Sequence, residues 1–207
     1  MMNESELLSA GFHKFGMAEN SIIKNRILEY INRIIAYNRK VNITGTESAQ
    51  DIIIRHVFDS LSILRPLSKI PGTSVADVGS GAGFPGMVLG IADPVRKYTL
   101  IESKKKKGSF LLEVIAALSL DNVACRTANV FEISEKFDII LCRALGSVKK
   151  ILKLSRNIRT NSTAYILSKG TRKVIEAELM ESDIHFTITP VCVPFLNEER
   201  NLLVHIP

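Results

Sequence analysis

Apolar residues recur at steps of three and four positions in the first third of the chain, which is the spacing of an amphipathic helix. Between residues 21 and 37 the apolar residues that recur at these steps are Ile22, Ile23, Ile27, Tyr30, Ile31, Ile34 and Ile35. A second helix is predicted to open at Ser48, because Asp51 three positions later gives a capping-box pattern, and to end before Pro66. Its inner face would carry Ile54, Val57, Phe58, Leu61 and Leu64. We therefore expect residues 1–70 to form a helical cap.

Beyond residue 70 the pattern changes to short runs typical of strands. They read TSVADVG, KYTLIES, NVACRT, FDIILCR, TAYILSK, HFTITPVCV and NLLVHI. Gaps such as KKKKGSFLLEVIAAL are long enough for helices, and strands that alternate with helices form parallel sheets. The last two runs lie close together and predict a hairpin. The sequence thus indicates an α/β fold in which the helical cap and residues 71–207 form one unit, with a mostly parallel sheet and an antiparallel edge strand.

Length and composition narrow the class of protein. A chain of 207 residues, 46% hydrophobic and 23% charged, fits one globular domain. Cys125, Cys142 and Cys192 form no C-x-x-C pair, which argues against a zinc site or a disulfide framework. The polar, acidic N-terminus lacks the pattern of a secretory leader, and no apolar run approaches the ~20 residues that span a bilayer. We expect a soluble cytoplasmic protein without a metal.

The segment VADVGSGAGFPG, which begins at Val75, carries the most informative pattern. Gly79, Gly81 and Gly83 follow an apolar run that suits a buried parallel strand, and they let a ligand approach the backbone closely. Pro85 suits the first turn of a following helix. The loop therefore lies at the carboxyl end of a strand, where open α/β sheets bind their ligands.

The spacing of this loop decides between classes of ligand. A dinucleotide site needs G-x-G-x-x-G, whose third glycine would stand at Phe84, and a P-loop needs a Gly-Lys-Ser/Thr that the loop lacks. Asp77, just ahead of the glycines, disfavours an anion and suits an ammonium or sulfonium group; S-adenosyl-L-methionine carries both. Glu102, at the end of the next predicted strand, is placed to accept hydrogen bonds from ribose hydroxyls. The alternative interpretation of the glycines is a tight turn that binds no ligand. The alternative interpretation of Glu102 is a solvated carboxylate at the end of a strand.

Six segments, in the same order, resemble one protein family. They are YNRKVNITG, IIRHVFDSL, DVGSGAGFPG, CRALGSV, LSKG and EERNLLVHI. The family is the bacterial ribosomal RNA small-subunit methyltransferase G family, also called glucose-inhibited division protein B, and the resemblance covers about residues 30–206. The G-F-P-G and R-H-x-x-D-S segments are far more specific than the glycines alone. The resemblance implies a class I, Rossmann-like methyltransferase fold, S-adenosyl-L-methionine as cofactor, and methylation at N7 of a guanine in 16S ribosomal RNA.

Site residues follow from the resemblance, position by position. Gly79 and Phe84 match cofactor contacts in the loop, where Asp77, Gly81 and Gly83 are also expected to bind. Ala128 and Asn129 match a pair that flanks the adenine. Arg143, in CRALGSV, matches an arginine that faces the methyl-transfer centre and positions it.

Three positions depart from the family pattern. The chain reads Thr127-Ala128-Asn129 where the family usually has Arg-Ala-Glu. An asparagine side chain still hydrogen-bonds, so Asn129 stays a candidate contact. Tyr37 stands where the family commonly has tryptophan.

Methylation at guanine N7 needs little catalytic machinery. The nitrogen carries an in-plane lone pair and no proton, so it attacks a sulfonium methyl group without a general base. Positioning is then the main task, and it contributes roughly 7–11 kcal/mol in favourable cases. We therefore expect no catalytic acid, base or nucleophile, and we interpret Cys125 and Cys142 as small core residues. His56 and Asp59, three positions apart, are either a buried brace between cap and sheet or a border of the cofactor pocket.

Basic residues predict a polyanionic partner. The net charge is +6 and the pI is near 9.3, although such an excess also serves solubility alone. Four lysines open a predicted helix, where they oppose its dipole, and a bound phosphate backbone would relieve that repulsion; the alternative is a solvated charge run. They are Lys104, Lys105, Lys106 and Lys107. Further cations lie largely along the helix predicted in SVKKILKLSRNI, where the alternative is that they form only its solvated face: Lys149, Lys150, Lys153, Arg156 and, just after it, Arg159.

The resemblance adds Lys169 and Arg200 near the active cleft, where we expect them to contact RNA with Lys104 and Lys105. The expected partner is small-subunit ribosomal RNA within the ribosomal particle, bound by a monomer without a membrane. Two other functions stay open. A nicotinamide-dependent oxidoreductase lacks its third loop glycine here. A non-catalytic RNA-binding or ribosome-assembly protein would have no need of the glycine loop, Glu102 and Arg143.

Overall fold

Helices precede the sheet and then alternate with its strands. The computed structural model describes residues 2–39, 41, 43–45 and 48–207. The helices are α1 Glu4–Lys14, α2 Ser21–Asn38, α3 Ala49–Ile52, α4 Asp59–Leu61, α5 Leu64–Leu67, α6 Gly86–Ala92, α7 Lys105–Ala117, α8 Val148–Leu154 and α9 Arg172–Leu179. The strands are β1 Ser74–Val78, β2 Lys97–Ile101, β3 Val123–Arg126, β4 Ile139–Arg143, β5 Ala164–Lys169, β6 Thr187–Val191 and β7 Arg200–His205. A π-helical segment, Ile53–Phe58, joins α3 to α4, and 3-10 turns lie at Val130–Glu132 and Ser155–Asn157.

All the predicted strands join one sheet, in the order β3-β2-β1-β4-β5-β7-β6. Strands β1 to β5 pair in parallel, whereas β7 is antiparallel to both β5 and β6. The mostly parallel sheet and the terminal hairpin are therefore confirmed. The antiparallel strand β7 lies one place in from the edge, because β6 covers it. Strand order reverses between β1 and β4, which makes their carboxyl ends a topological switch point.

The strand register brings three predicted site residues to one level of this edge. Val78, the last residue of β1, lies opposite Ile101 in β2 and Cys142 in β4. Gly79, Glu102 and Arg143 follow these three positions. The carboxyl ends of β1, β2 and β4 therefore meet at one site.

The cap helices begin where the sequence supplies capping side chains. Asn3 Oδ1 accepts the Glu6 N–H, and the Glu6 carboxylate accepts the Asn3 N–H, each at 2.9 Å, which completes a capping box at α1. The predicted face of α2 is buried at Ile27, Tyr30, Ile31 and Ile34. The prediction was wrong for Ile22, which is 63% exposed, because it is rotated by about 100° from its neighbour Ile23.

The second predicted helix is more irregular than its sequence pattern. Its start is confirmed, since Ser48 Oγ accepts the Asp51 N–H at 3.0 Å. Its predicted extent was wrong: α4 ends at Leu61, and Pro66 lies inside the short helix α5. A proline near a helix start is tolerated because the first N–H groups of a helix have no partner within it. The π-helical segment also changes the buried face, which includes Ile52 and Ile53 while Ile54 and Leu64 are half-buried.

The sheet separates two hydrophobic clusters. Neighbouring side chains of a strand point to opposite faces, so Val75 joins one cluster and Ala76 the other. The first cluster also contains Ile27 and Phe58, from the cap, together with residues of α6 and α7. The second contains Ile151 and lies under α8 and α9. The cap helices thus share a core with the sheet.

Candidate active site

The glycine loop after β1 follows a path that side chains would obstruct. Gly79 and Gly83 have φ of +76° and +113°, which favours glycine. A Cβ at Gly79 would stand 2.7 Å from Leu145 Cδ1, and one at Gly83 would stand 2.6 Å from Tyr30 Oη. A Cβ at Gly81 would meet Lys107 Nζ at 3.8 Å and nothing nearer. The loop is tightly packed at both ends and open in the middle.

Asp77, in β1, is a buried carboxylate with one oxygen committed. Its Oδ2 accepts the Gly86 N–H at 2.9 Å, at the start of α6. Its Oδ1 is buried and has no hydrogen-bond partner in the described part of the chain. Burial raises the pKa of Asp77 to about 7, against the opposing effect of the Gly86 hydrogen bond. A cationic donor beside Oδ1 would satisfy this atom and stabilise the ionised carboxylate.

Glu102 links the loops that follow β1 and β2. Its Oε2 accepts the Gly81 N–H at 2.9 Å, and its Oε1 accepts the Lys104 N–H at 2.8 Å. The residue is only 7% exposed, so it is not the solvated strand-end carboxylate of the alternative interpretation. Each carboxylate oxygen has a second lone pair, so Glu102 retains the capacity to accept further hydrogen bonds.

Arg143, at the end of β4, is held by the π-helical segment and the residue after it. Its Nε lies 2.9 Å from Asp59 Oδ2, and its Nη1 lies 3.0 Å from His56 Nδ1. Its Nη2 donates to the Arg55 backbone oxygen at 2.8 Å. His56 and Asp59 therefore act as a brace between cap and sheet at the same edge as the glycine loop. π-Helical turns of this kind are frequent at functional sites.

The imidazole of His56 is held in its neutral form. Burial and the nearby charges of Arg143 and Arg55 together lower its pKa to about 4, with burial the largest cause. Because Arg143 donates to Nδ1, the remaining ring proton lies on Nε2. The ring stacks on Phe84 of the glycine loop, with centroids 4.9 Å apart. At neutral pH this residue packs against the loop without carrying charge.

A second layer of charges surrounds Asp59, which is 2% exposed. Arg200 Nε lies 3.6 Å from Asp59 Oδ1, and Arg200 Nη2 donates to Glu198 Oε2 at 2.7 Å. Glu198 Oε1 in turn accepts from Arg55 Nη1 at 2.6 Å. Burial raises the pKa of Asp59, and the guanidinium groups of Arg143 and Arg200 oppose that rise. Arg55 and Glu198 were not among the predicted site residues, although both lie in segments that carry the resemblance.

Ala128 and Asn129 lie beyond β3, on the far side of β2. Asn129 is exposed, and its Oδ1 accepts the Phe131 N–H at 3.2 Å. This bond caps the 3-10 turn Val130–Glu132. Ala128 is half-buried. The side-chain oxygen of Asn129 therefore already stabilises the local backbone.

The predicted RNA-binding cations differ in how free they are. Lys104 and Lys105 are exposed, and α7 begins at Lys105 with Lys104 at its N-cap, one residue after the predicted start. Lys169, by contrast, is ion-paired: its Nζ lies 2.7 Å from Glu178 Oε2 and 2.6 Å from the Gly146 oxygen. The other lysine-rich helix, α8, lies on the opposite face from the cap. Arg156 and Arg159, which follow α8, line a separate cavity of about 510 Å³ with Asp183 and His205.

The thiols in the strands are unreactive by environment. Cys142 is 1% exposed, and burial raises its pKa to about 12. Cys125 is half-buried, and burial raises its pKa too. Within the described ranges, no group of three or more His, Cys, Asp and Glu side chains is arranged to hold a metal ion. No helix of the described chain is both long and apolar enough to cross a membrane.

Comparison with known proteins identifies the family of this chain. The family model described as rRNA small subunit methyltransferase G, GidB, matches residues 23–204. The chain belongs to this family. A ribosomal RNA small subunit methyltransferase G of Coxiella burnetii is 35% identical over 201 residues, which are 96% of each chain. That of Brachyspira hyodysenteriae is 37% identical over 161 residues, or 78% of each.

Solved structures support the fold of this GidB family member. A SAM-dependent methyltransferase from Aquifex aeolicus superposes with a TM-score of 0.60 at 15% identity, covering 83% of this chain and 97% of its own. At 15% identity this similarity is evidence for the fold only. The predicted Rossmann-like methyltransferase fold is thereby confirmed.

Proposed function

We propose that this protein is an S-adenosyl-L-methionine-dependent methyltransferase that modifies N7 of a guanine in 16S ribosomal RNA. Family membership supports the reaction class and the RNA. The observation that carries the proposal is the buried Oδ1 of Asp77, two positions before the first loop glycine, which has no hydrogen-bond partner among the described residues. An anionic phosphate cannot satisfy this atom, whereas an ammonium group can.

The residues at this edge fit the cofactor part by part. Asp77 would bind the ammonium group, while the free lone pairs of Glu102 would accept the ribose hydroxyls. Gly79, Gly81, Gly83 and Phe84 would line the amino-acid end. Ala128 and Asn129 would flank the adenine; the Asn129 amide group would donate, because its oxygen already accepts from Phe131. When bound, S-adenosyl-L-methionine supplies a methyl group on a positively charged sulfur.

Arg143 would position the transfer centre without exchanging protons. Three of its nitrogens are already held by Asp59, His56 and the Arg55 backbone, so the side chain is rigid before substrate binds. Its remaining N–H groups and its charge suit a phosphate or the electron-rich edge of a guanine. The neutral His56 and the buried Cys142 take no part, since N7 has no proton to lose. Geometry and exclusion of water supply the rate.

Ribosomal RNA would approach along the cationic side of the edge. Lys104 and Lys105 are exposed and lie next to Glu102, while Arg200 borders the Arg143 cluster. Lys169 would have to exchange its bond to Glu178 for a phosphate, and Arg200 its bond to Glu198, which makes both weaker candidates than Lys104 and Lys105. We propose that the monomer acts in the cytoplasm on RNA within the ribosomal particle.

Calorimetry tests the cofactor part of this proposal. S-adenosyl-L-methionine and S-adenosylhomocysteine are expected to bind with a stoichiometry of one, whereas NADH is expected to give no heat. Glu102→Gln should weaken both ligands, because an amide nitrogen cannot accept from ribose, while Glu113→Gln, on the exposed face of α7, should bind as wild type. Binding of NADH alone would support the oxidoreductase. Tight binding of rRNA without methyl transfer would support the assembly protein.

A further inference from the structure

A cleft of about 610 Å³ lies between the helical cap and the outer strands, away from the glycine loop. Its walls are the end of α1, the region of α5, and the faces of β6 and β7. None of the residues proposed above for cofactor or RNA lines it. The cleft is therefore a separate feature, and the methyltransferase site does not explain it.

The floor of this cleft is apolar and continuous with the core. The residues that form it are Phe15, Met17, Leu61, Leu64, Val191 and Val204. All but Leu61 are only partly buried, so the cleft leaves apolar surface accessible. Its size falls in the range of about 300–1,000 Å³ that is typical of small-molecule sites. A site of this kind binds the apolar body of a ligand.

Uncompensated positive charges stand at the rim. Lys14, Arg65 and Lys69 line the cleft and are exposed, and no aspartate or glutamate lines it. Within the described chain none of the three lies within 4 Å of a carboxylate, whereas the nearby Arg55 and Arg200 are both paired with Glu198. Lys14 lies over the Phe195 ring instead. Cations grouped without counter-charges beside an apolar floor favour a ligand with an anionic head.

We propose that this cleft binds a monomeric anionic amphiphile: an apolar chain of medium length with one carboxylate, sulfonate or phosphate head. The chain lies on the apolar floor, and the head lies between Arg65 and Lys69, which are four positions apart. The volume suits one such molecule. This binding is independent of the methyltransferase activity.

Calorimetry with three probes tests the two parts of the ligand. Decanoate, below its micelle concentration, is expected to bind saturably with one site per chain. Decanol, which has the chain without the charge, and acetate, which has the charge without the chain, are each expected to bind at least tenfold more weakly. Acetate binding as tightly as decanoate, or no saturable decanoate binding, would overturn the proposal.

Variants locate the site. The double variant Arg65→Gln, Lys69→Gln should weaken decanoate at least tenfold, and Thr189→Trp, which fills the cleft from β6, should abolish binding. Lys173→Gln, an exposed charge change on α9, is the matched control and should bind as wild type. Each variant must still bind S-adenosylhomocysteine, which shows that it is folded. Unchanged decanoate binding in both cleft variants would overturn the proposal.

Two further experiments test whether something other than an amphiphile occupies the cleft. Sedimentation with phosphatidylglycerol vesicles tests a lipid surface, and light scattering over a range of protein concentrations tests a second copy of the chain. Binding to vesicles without binding of monomeric decanoate would overturn the proposal. So would a dimer that Thr189→Trp dissociates, since the cleft would then be a self-interface. Protection of the exposed Cys192, which lines the cleft, from thiol reagents by decanoate would support it.

Discussion

Replacing Asp77 with asparagine tests how the site recognises a cation. In the free protein, burial raises the pKa of Asp77 to about 7, so the carboxylate must ionise before it binds an ammonium group. Affinity should therefore level off between pH 7 and pH 8 and approach a tenfold fall for each pH unit well below 7. Between pH 7.5 and 5.5 this amounts to a loss of about 25-fold. An α-amino group titrates near 8, so the ligand itself sets the upper limb of the profile.

In Asp77→Asn the acid limb should disappear, because no group at this position titrates. A hydrogen bond between charged groups contributes about 1.5–3 kcal/mol, so the variant should bind about 10- to 150-fold more weakly at pH 7.5. The assay is calorimetry with S-adenosylhomocysteine from pH 5.5 to 8.5. Methylthioadenosine, which lacks the amino-acid end, is the control ligand and should bind the two proteins equally.

The raised pKa of Asp77 also predicts how the stability of the ligand-free protein changes with pH. A carboxyl whose folded-state pKa is raised contributes stability that is present below its unfolded pKa, near 4, and is lost as pH rises through about 7. Without ligand, the wild type should lose stability relative to Asp77→Asn between pH 5 and pH 8. Thermal unfolding measures this difference. Equal affinity of the wild type and Asp77→Asn for S-adenosylhomocysteine, or the same loss of affinity below pH 7 in both, would refute the reasoning.

Three other substitutions test the supporting structure. Arg143→Ala should lower methyl transfer at least a hundredfold. It should also lower the unfolding temperature, because the buried Asp59 loses its 2.9 Å partner and keeps only Arg200 at 3.6 Å, so the loss of stability should stay below the ~3–5 kcal/mol of a fully unpaired buried charge. Wild-type turnover would show that the site is misassigned. Tyr30→Phe removes a buried 2.6 Å hydrogen bond to a glycine-loop carbonyl and should lower the affinity for S-adenosylhomocysteine several-fold. Tyr37→Phe, near the surface, is the control and should leave the affinity unchanged, so equal effects of the two variants would contradict this role of Tyr30. Cys142→Ser should retain turnover with stability lowered by about 1–3 kcal/mol, and lost activity in a folded variant would imply a catalytic thiol.

Much of the fold follows from local patterns in the sequence. Each strand run is apolar enough to be read without its partners, and the predicted run TSVADVG contains β1 Ser74–Val78. The three-residue spacing of His56 and Asp59 likewise correctly places them on one face, where both contact Arg143. Such features depend only on residues that are close to one another in the sequence.

What the sequence did not reveal depends on contacts between distant segments. Arg55 and Glu198 are 143 positions apart, and their ion pair exists only because β7 begins beside the cap. The π-helical segment has no distinctive local pattern. From the sequence, Lys169 is predicted to be a free cation at the end of a strand; its ion pair with Glu178 of α9 becomes visible only in the folded structure. The 610 Å³ cleft likewise needs α1, α5 and β6 together.

Site-specific mapping of the transferred methyl group tests the account most directly. Small ribosomal subunits that lack the modification are incubated with the protein and labelled S-adenosyl-L-methionine, and the RNA is then cleaved chemically at N7-methylguanosine. The account predicts one labelled guanine, methylated at N7, and loss of the label with Asp77→Asn at limiting cofactor. Label on a different atom or base, or none from protein that binds the cofactor, would contradict it.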